Sequence, residues 1–488
     1  STDGHLMSCN LDFDMTPFPA HSPSIFIVAN RLPVEYHPVT GWQPSPGGLV
    51  RAIESALREF NAVWVGWRGS PTADDDIGPR SASPPRIGNI SVIEIPMTQL
   101  EVSHFYDGVC NAAFWPLYHE SFVSPMFCDK EFEIYQRINQ RYADCVAYSA
   151  PEGALVWVHD YQLQLVPALL RKARSDLRIG FFLHVPFPSA AKFDTMPWKK
   201  NVLHGLLGSE LIGFQTAGSA EQFIEQACVH WPATRNGRSV LVDEAAGTRQ
   251  VFVDAFPVGA DLETFSILAS APEVNEAAAR LRADFGDPDV ILLGVDRLDY
   301  TKGIDIRIRA VADLLKSDEF RDRDIQFIQV AVPTRSELPA YQRLRVRLEG
   351  ELQSANAELA ALGLRPIHYV YGALPTEKVA ALYTAADVML VTSLADGMNL
   401  VSKEFVACRE DDSGRLVLSR TTGAAAQLSD AWLVEPGDPG DLKRGISEAI
   451  LAGDDEARSR MKRLRQAVFG ADAKRWAVSF LKRLNEAR

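Results

Sequence analysis

Cysteine is scarce in this sequence, and long hydrophobic runs are missing. The 488 residues include six scattered cysteines with no C-x-x-C pair, which argues against a structural zinc site and indicates a reducing cytoplasm. No stretch approaches the roughly 18 apolar residues that cross a bilayer. The N-terminus lacks a basic start followed by an apolar core. It therefore does not resemble a secretory signal, and we expect residues 1–22 to form a flexible arm.

Positive charge is also in short supply. The formal net charge is −13, which argues against nucleic acid and anionic membranes as partners. If the substrates carry phosphate, basic side chains must be gathered locally against the overall field. With 47% apolar and 23% charged residues, the composition is that of a soluble globular chain. The length predicts two domains of about 200–250 residues.

Several catalytic signatures are absent. The sequence contains no G-x-S-x-G elbow, no H-E-x-x-H motif, no Walker lysine motif and no G-x-G-x-x-G fingerprint, and the last absence argues against a dehydrogenase. The acidic run Asp74–Asp76 lies in a Pro- and Ser-rich segment and is interpreted as a solvated loop rather than a metal site. We expect no metal and no cofactor, and catalysis by the positioning of two phosphorylated substrates.

The stretch from Ala395 to Glu404, ADGMNLVSKE, combines a glycine turn with the start of a helix. An apolar run over Asp387–Thr392 predicts a buried strand before it, and Leu400–Ala407 predicts a helix after it. Such a junction aims free backbone N–H groups at one point and so binds anions such as phosphate. Asp396 and Glu404 would then hold sugar hydroxyls, unless the stretch is an ordinary junction with solvated acids.

Predicted strands alternate with predicted helices in both halves of the chain. This alternation predicts an α/β protein with two doubly wound, Rossmann-like domains that face each other across a cleft. A Pro/Gly turn at Phe256–Asp261 marks the boundary between them. We assign residues 23–257 to the first domain and 258–470 to the second, and expect a C-terminal helix in residues 471–488 that packs back on the first domain.

Basic residues follow one predicted strand of the second half in the motif DRLDYTKG. Ligands of open α/β sheets bind at the carboxyl ends of the strands, so Arg297 and Lys302 can both reach a diphosphate held near Gly397. Positive charge there would stabilise a leaving diphosphate, and one such donor is typically worth about 3 kcal/mol. The alternative is that Arg297 pairs with Asp299 in a structural salt bridge.

Four further polar residues, Arg31, Asp160, His184 and Arg335, also follow predicted strands. Arg31 and Arg335 belong to different halves, so together they can clamp a second phosphate across the cleft. Taken singly, each arginine is an ordinary surface residue and His184 a structural histidine. The repetition of the pattern at several strand ends is what favours a binding site.

Six motifs follow one another in an order typical of one enzyme family. They are PGGL, FWPLYH, VHDYQL, GFFLHVPFP, RLDYTKG and DGMNLVSKE, which begin at Pro46, Phe114, Val158, Gly180, Arg297 and Asp396. With these motifs, nearly the whole chain resembles the trehalose-6-phosphate synthases, which are retaining glycosyltransferases with two Rossmann-like domains in the GT-B arrangement. Ala29 and Ser402 depart from the family pattern, and neither replacement should touch the chemistry.

The resemblance implies transfer of glucose from a nucleotide-glucose to glucose 6-phosphate by a cytoplasmic homo-oligomer, with the acceptor in the first domain and the donor in the second. The implied catalytic residues are Arg297, Lys302, His184 and Asp160. The implied donor-binding residues are Gly47, Gly48, Arg297, Lys302, Leu374, Asp396, Gly397, Met398, Asn399, Leu400, Val401, Ser402, Lys403 and Glu404. The implied acceptor-binding residues are Arg31, Tyr106, Trp115, Asp160 and Arg335.

Family chemistry implies attack on the face from which the phosphate leaves, through an ion-pair transition state in which the departing phosphate takes the acceptor's proton. Three alternatives stay open: a retaining synthase with another sugar-phosphate acceptor, a nucleotide-sugar epimerase, and a non-catalytic sensing subunit. The donor base also stays open among UDP-, ADP- and GDP-glucose, because base contacts in this fold are made mostly through the backbone.

Overall fold

The computed structural model describes residues 24–37, 39–45, 48–57, 60–72, 86–245 and 247–487. The predicted arm, residues 1–22, and the acidic run Asp74–Asp76 lie outside these ranges. Within the described ranges, no helix combines the length and the apolar character needed to span a bilayer.

The described residues form seventeen β-strands. They are β1 (Ile25–Arg31), β2 (Val34–His37), β3 (Gly41–Pro44), β4 (Ala62–Trp67), β5 (Ile90–Glu94), β6 (Leu155–His159), β7 (Arg178–Leu183), β8 (Leu211–Phe214), β9 (Ala233–Asn236), β10 (Ser239–Glu244), β11 (Gly247–Ala255), β12 (Val290–Arg297), β13 (Ile325–Val332), β14 (His368–Tyr371), β15 (Val388–Val391), β16 (Arg415–Ser419) and β17 (Trp432–Val434).

Seventeen α-helices are found in the same part of the chain, and a π-helix over Val102–Phe114 follows the second of them. The α-helices are α1 (Gly48–Leu57), α2 (Gln99–Glu101), α3 (Trp115–Tyr118), α4 (Asp129–Ser149), α5 (Val166–Ala173), α6 (Ala190–Phe193), α7 (Lys199–Leu207), α8 (Ala217–His230), α9 (Leu262–Ser270), α10 (Pro272–Asp284), α11 (Ile304–Leu315), α12 (Pro339–Ala361), α13 (Thr376–Ala385), α14 (Leu400–Ala407), α15 (Pro439–Leu451), α16 (Asp454–Phe469) and α17 (Ala473–Glu486).

The strands form two large sheets and a small hairpin of β2 and β3. The first sheet has the order β5-β4-β1-β6-β7-β8-β11-β10-β9 and is parallel except where β10 pairs with β11 and β9. The second has the order β14-β13-β12-β15-β16-β17 and is parallel throughout. In each sheet the chain runs outward from its first strand in one direction, then returns and runs outward in the other. The carboxyl ends of β1 and β12 therefore lie at switch points, where ligands of such sheets bind.

The central strands are buried because helices cover both faces of each sheet. Every residue of β6 and of β15 is buried. Their sequences, LVWVH and VMLV, are nearly continuous apolar runs, which is the pattern of parallel strands enclosed between helices. The polar residues that follow such strands are held by a rigid framework, which suits a binding site.

The last helix, α17, packs on the first sheet. Trp476 and Phe480 lie against Trp157 of β6, with ring centroids 4.9 and 4.7 Å away. Gly180 and Gly213 leave room for it, because a Cβ at either position would stand 2.7 Å from the Phe480 ring. The chain thus returns from the second sheet to the first at its C-terminal end, and this packing ties the two halves together.

The aromatic stretch NAAFWPLYH is helical: the π-helix leads directly into α3, with Pro116 in the first turn, where a missing N–H is tolerated. The buried rings of Phe114 and Tyr118 explain why this stretch winds into the core. The sequence analysis did not anticipate the strands β2, β3, β9 and β10; the first three are only four residues long, with polar or Gly- and Pro-containing sequences.

Candidate active site

The glycine turn of ADGMNLVSKE leads from β15 into α14. Asn399 has φ +87° and caps the helix: its Oδ1 accepts the Ser402 N–H at 2.9 Å, and its Nδ2 donates to Asp396 Oδ2 at 3.1 Å. The cap fixes the first turn of α14, where Leu400 and Val401 are half-buried. Backbone N–H groups at such a helix start favour an anion.

Lys302 reaches this turn from the loop after β12. Its ammonium forms a salt bridge with Asp396, and both side chains are largely buried. Burial raises the pKa of Asp396, but the Lys302 ammonium outweighs that effect and holds the pKa below its ordinary value. Gly303, directly after Lys302, has φ +60°, which a glycine adopts without strain. Lys302 and Gly397 therefore lie on the same side of the second sheet, as the sequence predicted.

The two halves of the chain touch at Gly397. A Cβ at this residue would stand 2.1 Å from the backbone oxygen of His184, which follows β7 of the first sheet. Only glycine permits so close an approach. The His184 N–H in turn donates to Asp160 Oδ1 at 3.1 Å. The structure thus brings together Asp160, His184, Asp396 and Gly397, which the sequence places far apart.

His184 has a histidine partner that the sequence analysis missed. The Nδ1 of His159, the last residue of β6, lies 3.0 Å from His184 Nε2. Burial lowers the pKa of both rings, to about 3 for His159, so both are neutral and share one hydrogen. The position of His159 directly before Asp160 in VHDYQL was the available signal.

Asp160 has an unusual backbone and an unusual pKa. Its φ is +73°, in the left-handed region that non-glycine residues rarely adopt. Burial raises the pKa of its carboxyl to about 7, although backbone hydrogen bonds and the charges of Arg297 and Arg335 oppose the rise. Such perturbed groups cluster at functional sites.

The predicted acceptor-binding residues Trp115 and Arg335 are in direct contact. The guanidinium of Arg335 lies 3.9 Å from the Trp115 ring centroid and forms a 2.7 Å salt bridge with Asp299. Trp115 Nε1 donates to the other oxygen of Asp299 at 3.3 Å. The alternative pairing of Arg297 with Asp299 is not the one found. Arg297 is exposed, and its guanidinium lies 5.4 Å from the Trp115 ring.

Arg31 lies on the first-sheet side of this cluster. Its guanidinium is 4.9 Å from the Trp67 ring centroid, and the Trp67 ring is 5.6 Å from that of Tyr106 on the π-helix. A Cβ at Gly69 would meet Arg31 Nη1 at 2.0 Å. Tyr106 is among the side chains that raise the pKa of Arg335 against the lowering effect of burial. Arg31 thus packs on Trp67, and Trp67 packs on Tyr106.

Other predicted donor-binding residues differ in what their side chains reach. Glu404 is buried and accepts the Tyr383 hydroxyl at 3.1 Å. The Lys403 ammonium donates to Val258 O and to Gln427 Oε1, both at 2.6 Å, and burial lowers its pKa to about 7. The Lys403 ammonium is therefore engaged by protein groups, and only the backbone of Lys403 is available to bind a ligand.

The remaining predicted donor-binding residues are Met398, Ser402, Leu374, Gly48 and Gly47. Met398 and Ser402 are buried, and Leu374 is half-buried just after β14. Gly48 begins α1, which contacts α14. Gly47 lies outside the described residues. In the part of the chain that the structure describes, no three His, Cys, Asp or Glu side chains gather as a metal site would require.

The sequence analysis also gave no role to His119, Asp299 or Tyr341. His119 is buried against Trp115, with ring centroids 4.0 Å apart and its Nδ1 2.9 Å from the Trp115 carbonyl oxygen. That contact makes Nδ1 the protonated nitrogen, since a carbonyl only accepts. Burial lowers the pKa of His119 to about 4. Its place in FWPLYH was a signal, whereas nothing in the sequence marks Tyr341.

Comparison with known proteins gives the family. The model of glycosyltransferase family 20 matches residues 23–486, and the chain belongs to this family. A trehalose-6-phosphate synthase of Mycolicibacterium gilvum is 42% identical over 472 residues, covering 95% of this chain and 94% of that protein. One from Mycobacterium bovis is 42% identical over 467 residues, covering 93% of each chain.

Solved structures agree with this assignment. A structure from E. coli bound with UDP-2-fluoro glucose has a TM-score of 0.85 at 29% identity and covers 94% of this chain and 98% of its own. A UDP-forming α,α-trehalose-phosphate synthase from Burkholderia xenovorans, in complex with glucose-6-phosphate, has a TM-score of 0.85 at 30% identity. The match covers 95% of this chain and 100% of that one. The chain is a glycosyltransferase, and the predicted GT-B fold is confirmed.

Proposed function

We propose that this chain is a retaining glucosyltransferase that moves glucose from a nucleotide-glucose to glucose 6-phosphate, giving α,α-trehalose 6-phosphate and a nucleoside diphosphate. Two observations support the proposal. The similar curated proteins are trehalose-6-phosphate synthases, and similar solved structures hold UDP-2-fluoro glucose or glucose-6-phosphate. They give no support to the alternatives of a different acceptor or of an epimerase.

The observation that carries the proposal is the contact between Gly397 and His184. It sets the anion-binding turn of the second sheet against a strand end of the first. A donor held at that turn and an acceptor held beside Asp160 would meet at one point. Holding two reactants in this way removes much of the entropic barrier to their reaction.

On the donor side, positive charge and helix N–H groups stabilise the leaving diphosphate. Lys302 and Arg297 supply the charge, and the backbone of Leu400 to Lys403 supplies N–H groups. Asp396 binds the donor glucose and Glu404 the ribose. The Gly47-Gly48 loop closes over the donor, and Leu374 contacts the base through its backbone.

On the acceptor side, Arg31 and Arg335 bind the phosphate of glucose 6-phosphate, with Tyr106 and Trp115 beside it and Asp160 on a sugar hydroxyl. As the bond from the donor's C1 to phosphate oxygen breaks, C1 bonds to the acceptor's O1 on the same face. The acceptor's proton passes to the departing phosphate. His184 lies against the donor sugar.

The same proposal includes the organisation of the chain. Residues 23–257 form the acceptor domain, residues 258–470 form the nucleotide-sugar domain, and residues 471–488 return to the first. The enzyme needs no cofactor beyond its two substrates, and it works as a homo-oligomer in the cytoplasm, where the free cysteines among the described residues suit the reducing conditions. The donor is UDP-, ADP- or GDP-glucose.

A coupled assay tests the proposal. Purified protein is incubated with glucose 6-phosphate and each of the three nucleotide-glucoses, and nucleoside diphosphate release is followed with and without acceptor. We expect release that depends on glucose 6-phosphate, and NMR of the product showing an α,α-1,1 linkage. Conversion of the nucleotide sugar without acceptor would favour the epimerase, and a different linkage would favour another synthase.

A further inference from the structure

Asp299 lies between the two proposed binding sites, and both of its oxygens accept several hydrogen bonds. Oδ1 accepts the backbone N–H and the hydroxyl of Thr301, both at 2.9 Å, and the Trp115 indole N–H at 3.3 Å. Oδ2 accepts from Arg335 Nη1 at 2.7 Å and from the Tyr341 hydroxyl at 2.8 Å. The residue is 1% exposed, so this carboxylate is fully engaged by protein groups.

These contacts fix one edge of Arg335 and leave another available. Nη1 is held by Asp299 and lies 2.9 Å from the Tyr341 hydroxyl, and Nη2 makes a longer contact, 3.3 Å, with the Tyr161 hydroxyl. The buried Nε has no hydrogen-bond partner. The Trp115 ring, 3.9 Å away, sets the plane of the guanidinium. The Nε–Nη2 edge is therefore the one that can bind two oxygens of an anion.

We propose that Asp299 is a positioning residue for the acceptor: it holds Arg335 by Nη1 and Trp115 by the indole so that the Nε–Nη2 edge of Arg335 receives the phosphate of glucose 6-phosphate. This inference rests on the proposed function and extends it to a residue that does not itself touch the substrate.

The same carboxylate also joins the acceptor site to the donor site. Its Oδ1 caps the 3-10 turn Tyr300–Lys302, and so holds the loop from which Lys302 reaches Asp396. Although burial raises the pKa of Asp299, Arg335 and Arg297 outweigh it and bring the pKa down to about 2. The carboxylate is thus ionised at neutral pH and can accept from every one of these donors.

The Asp299 carboxylate has two opposite effects on phosphate binding by Arg335: it orients the guanidinium, and its negative charge weakens the attraction for the anion. A negative charge beside Arg335 weakens the attraction of the arginine for phosphate, so a carboxylate that only balanced charge would oppose acceptor binding. Arg335 also has φ +48°, and its long side chain has many alternative rotamers to lose on ordering. We expect the orienting effect to exceed the effect of charge, because bidentate binding of the phosphate needs both Nε and Nη2 of Arg335 in place.

The test is the steady-state kinetics of Asp299→Asn with the full-length protein. We expect the KM for glucose 6-phosphate to rise about tenfold or more, kcat to fall by a smaller factor, and the preference for glucose 6-phosphate over glucose to drop by a similar factor to the KM change. Tyr341→Phe removes the hydroxyl that donates to Asp299 and accepts from Arg335 Nη1 but keeps the carboxylate, and it should raise the same KM about threefold.

Glu210→Gln is the matched control. Glu210 is a largely buried carboxylate that pairs with Arg171 and accepts the Ile179 N–H at 2.7 Å, at the amino end of β8 and away from the cleft. Its replacement should lower stability without changing the KM for glucose 6-phosphate. Equal changes in both variants would mean that the Asp299 effect is general destabilisation, and would overturn the inference.

Two further outcomes are decisive. An unchanged or lower KM in Asp299→Asn, with an active wild-type enzyme, overturns the positioning role and leaves the proposed function intact. If the wild-type protein forms no trehalose 6-phosphate, the proposed function fails. Calorimetry of glucose 6-phosphate then decides the positioning role separately: weaker binding to Asp299→Asn than to wild type supports it, and equal or absent binding contradicts it.

Discussion

The donor side and the acceptor side of the cleft are built differently. Lys302 and Asn399 both contact Asp396 near the start of α14, and all three residues belong to the second half of the chain. On the acceptor side, Arg335 of the second half packs on Trp115 of the first. The proposed diphosphate-binding cluster thus lies within one half of the chain, whereas the proposed acceptor cluster joins residues of both halves. Changes on the two sides should therefore affect different kinetic constants.

The largest effect is expected for Arg297→Ala. We expect kcat to fall about 10²- to 10³-fold, because one preorganised donor to a developing anion is worth about 3 kcal/mol. Folding should persist, since Arg297 is exposed and no salt bridge of the described residues includes it. Steady-state kinetics with a thermal unfolding control provides the measurement. The Arg297 guanidinium also lies near Trp115. A rise confined to the KM for glucose 6-phosphate would therefore show that Arg297 binds the acceptor and not the donor.

Arg335→Ala should mainly weaken the acceptor. Loss of two hydrogen bonds to a charged phosphate, about 1.5–3 kcal/mol each, predicts a KM for glucose 6-phosphate raised about 100-fold or more, with the affinity for the nucleoside diphosphate nearly unchanged. Arg335→Lys serves as the control: it keeps the charge but loses the two-nitrogen edge, so it should recover little. A selective loss of donor affinity would contradict the acceptor role.

The pH dependence of stability should reflect groups of the first half. His119, His159 and His184 have pKa values depressed by burial, so the unfolded chain takes up protons below its own histidine pKa of about 6.5 and folding is weakened as pH falls. The pKa of Asp160 is raised to about 7, so the folded chain takes up one proton there as the pH falls. This uptake stabilises the folded state and offsets part of the loss. The net expectation is a loss of about 2 kcal/mol between roughly pH 6.5 and 5.5.

Urea unfolding across this pH range measures the effect. His159→Gln should flatten the slope, because one of the buried neutral rings is removed. Stability that stays constant or increases as the pH falls would show that these rings are protonated in the folded enzyme.

The smallest expected effect is at the cap of α14. Asn399 has φ +87° and its side chain caps the helix. Asn399→Gly loses the cap but tolerates the backbone angle, whereas Asn399→Ala loses both, so the alanine variant should be less stable by about 1–2 kcal/mol. Urea unfolding compares the two variants. Equal stabilities would mean that the left-handed backbone relaxes when the cap is lost.

The contrast between the two sides also explains what the sequence could predict. The donor turn is one continuous motif: α14 begins where the sequence placed it, at Leu400, and Lys302 reaches Asp396 from a neighbouring strand end. Parallel strands enclosed between helices leave clear apolar runs, so strand ends and their polar residues are visible in the sequence.

The acceptor side could not be predicted in the same detail. Trp115 lies 184 positions from the Asp299 carboxylate that it contacts, and the two residues belong to different halves of the chain. Tyr341 sits in α12, a helix whose sequence gives no sign of a ligand site. The π-helix that carries Tyr106 has no local signature either, since its winding depends on the aromatic core beneath it. Contacts between distant segments depend on how the halves pack, which local patterns do not encode.

A crystal structure with nucleoside diphosphate and glucose 6-phosphate bound together tests the central claim most directly. The account predicts the diphosphate at the start of α14 beside Lys302, the sugar phosphate within hydrogen-bond distance of Arg335 Nε and Nη2, and both ligands adjacent to the contact between Gly397 and His184. A sugar phosphate bound away from Arg335, or a diphosphate away from Lys302, would contradict it.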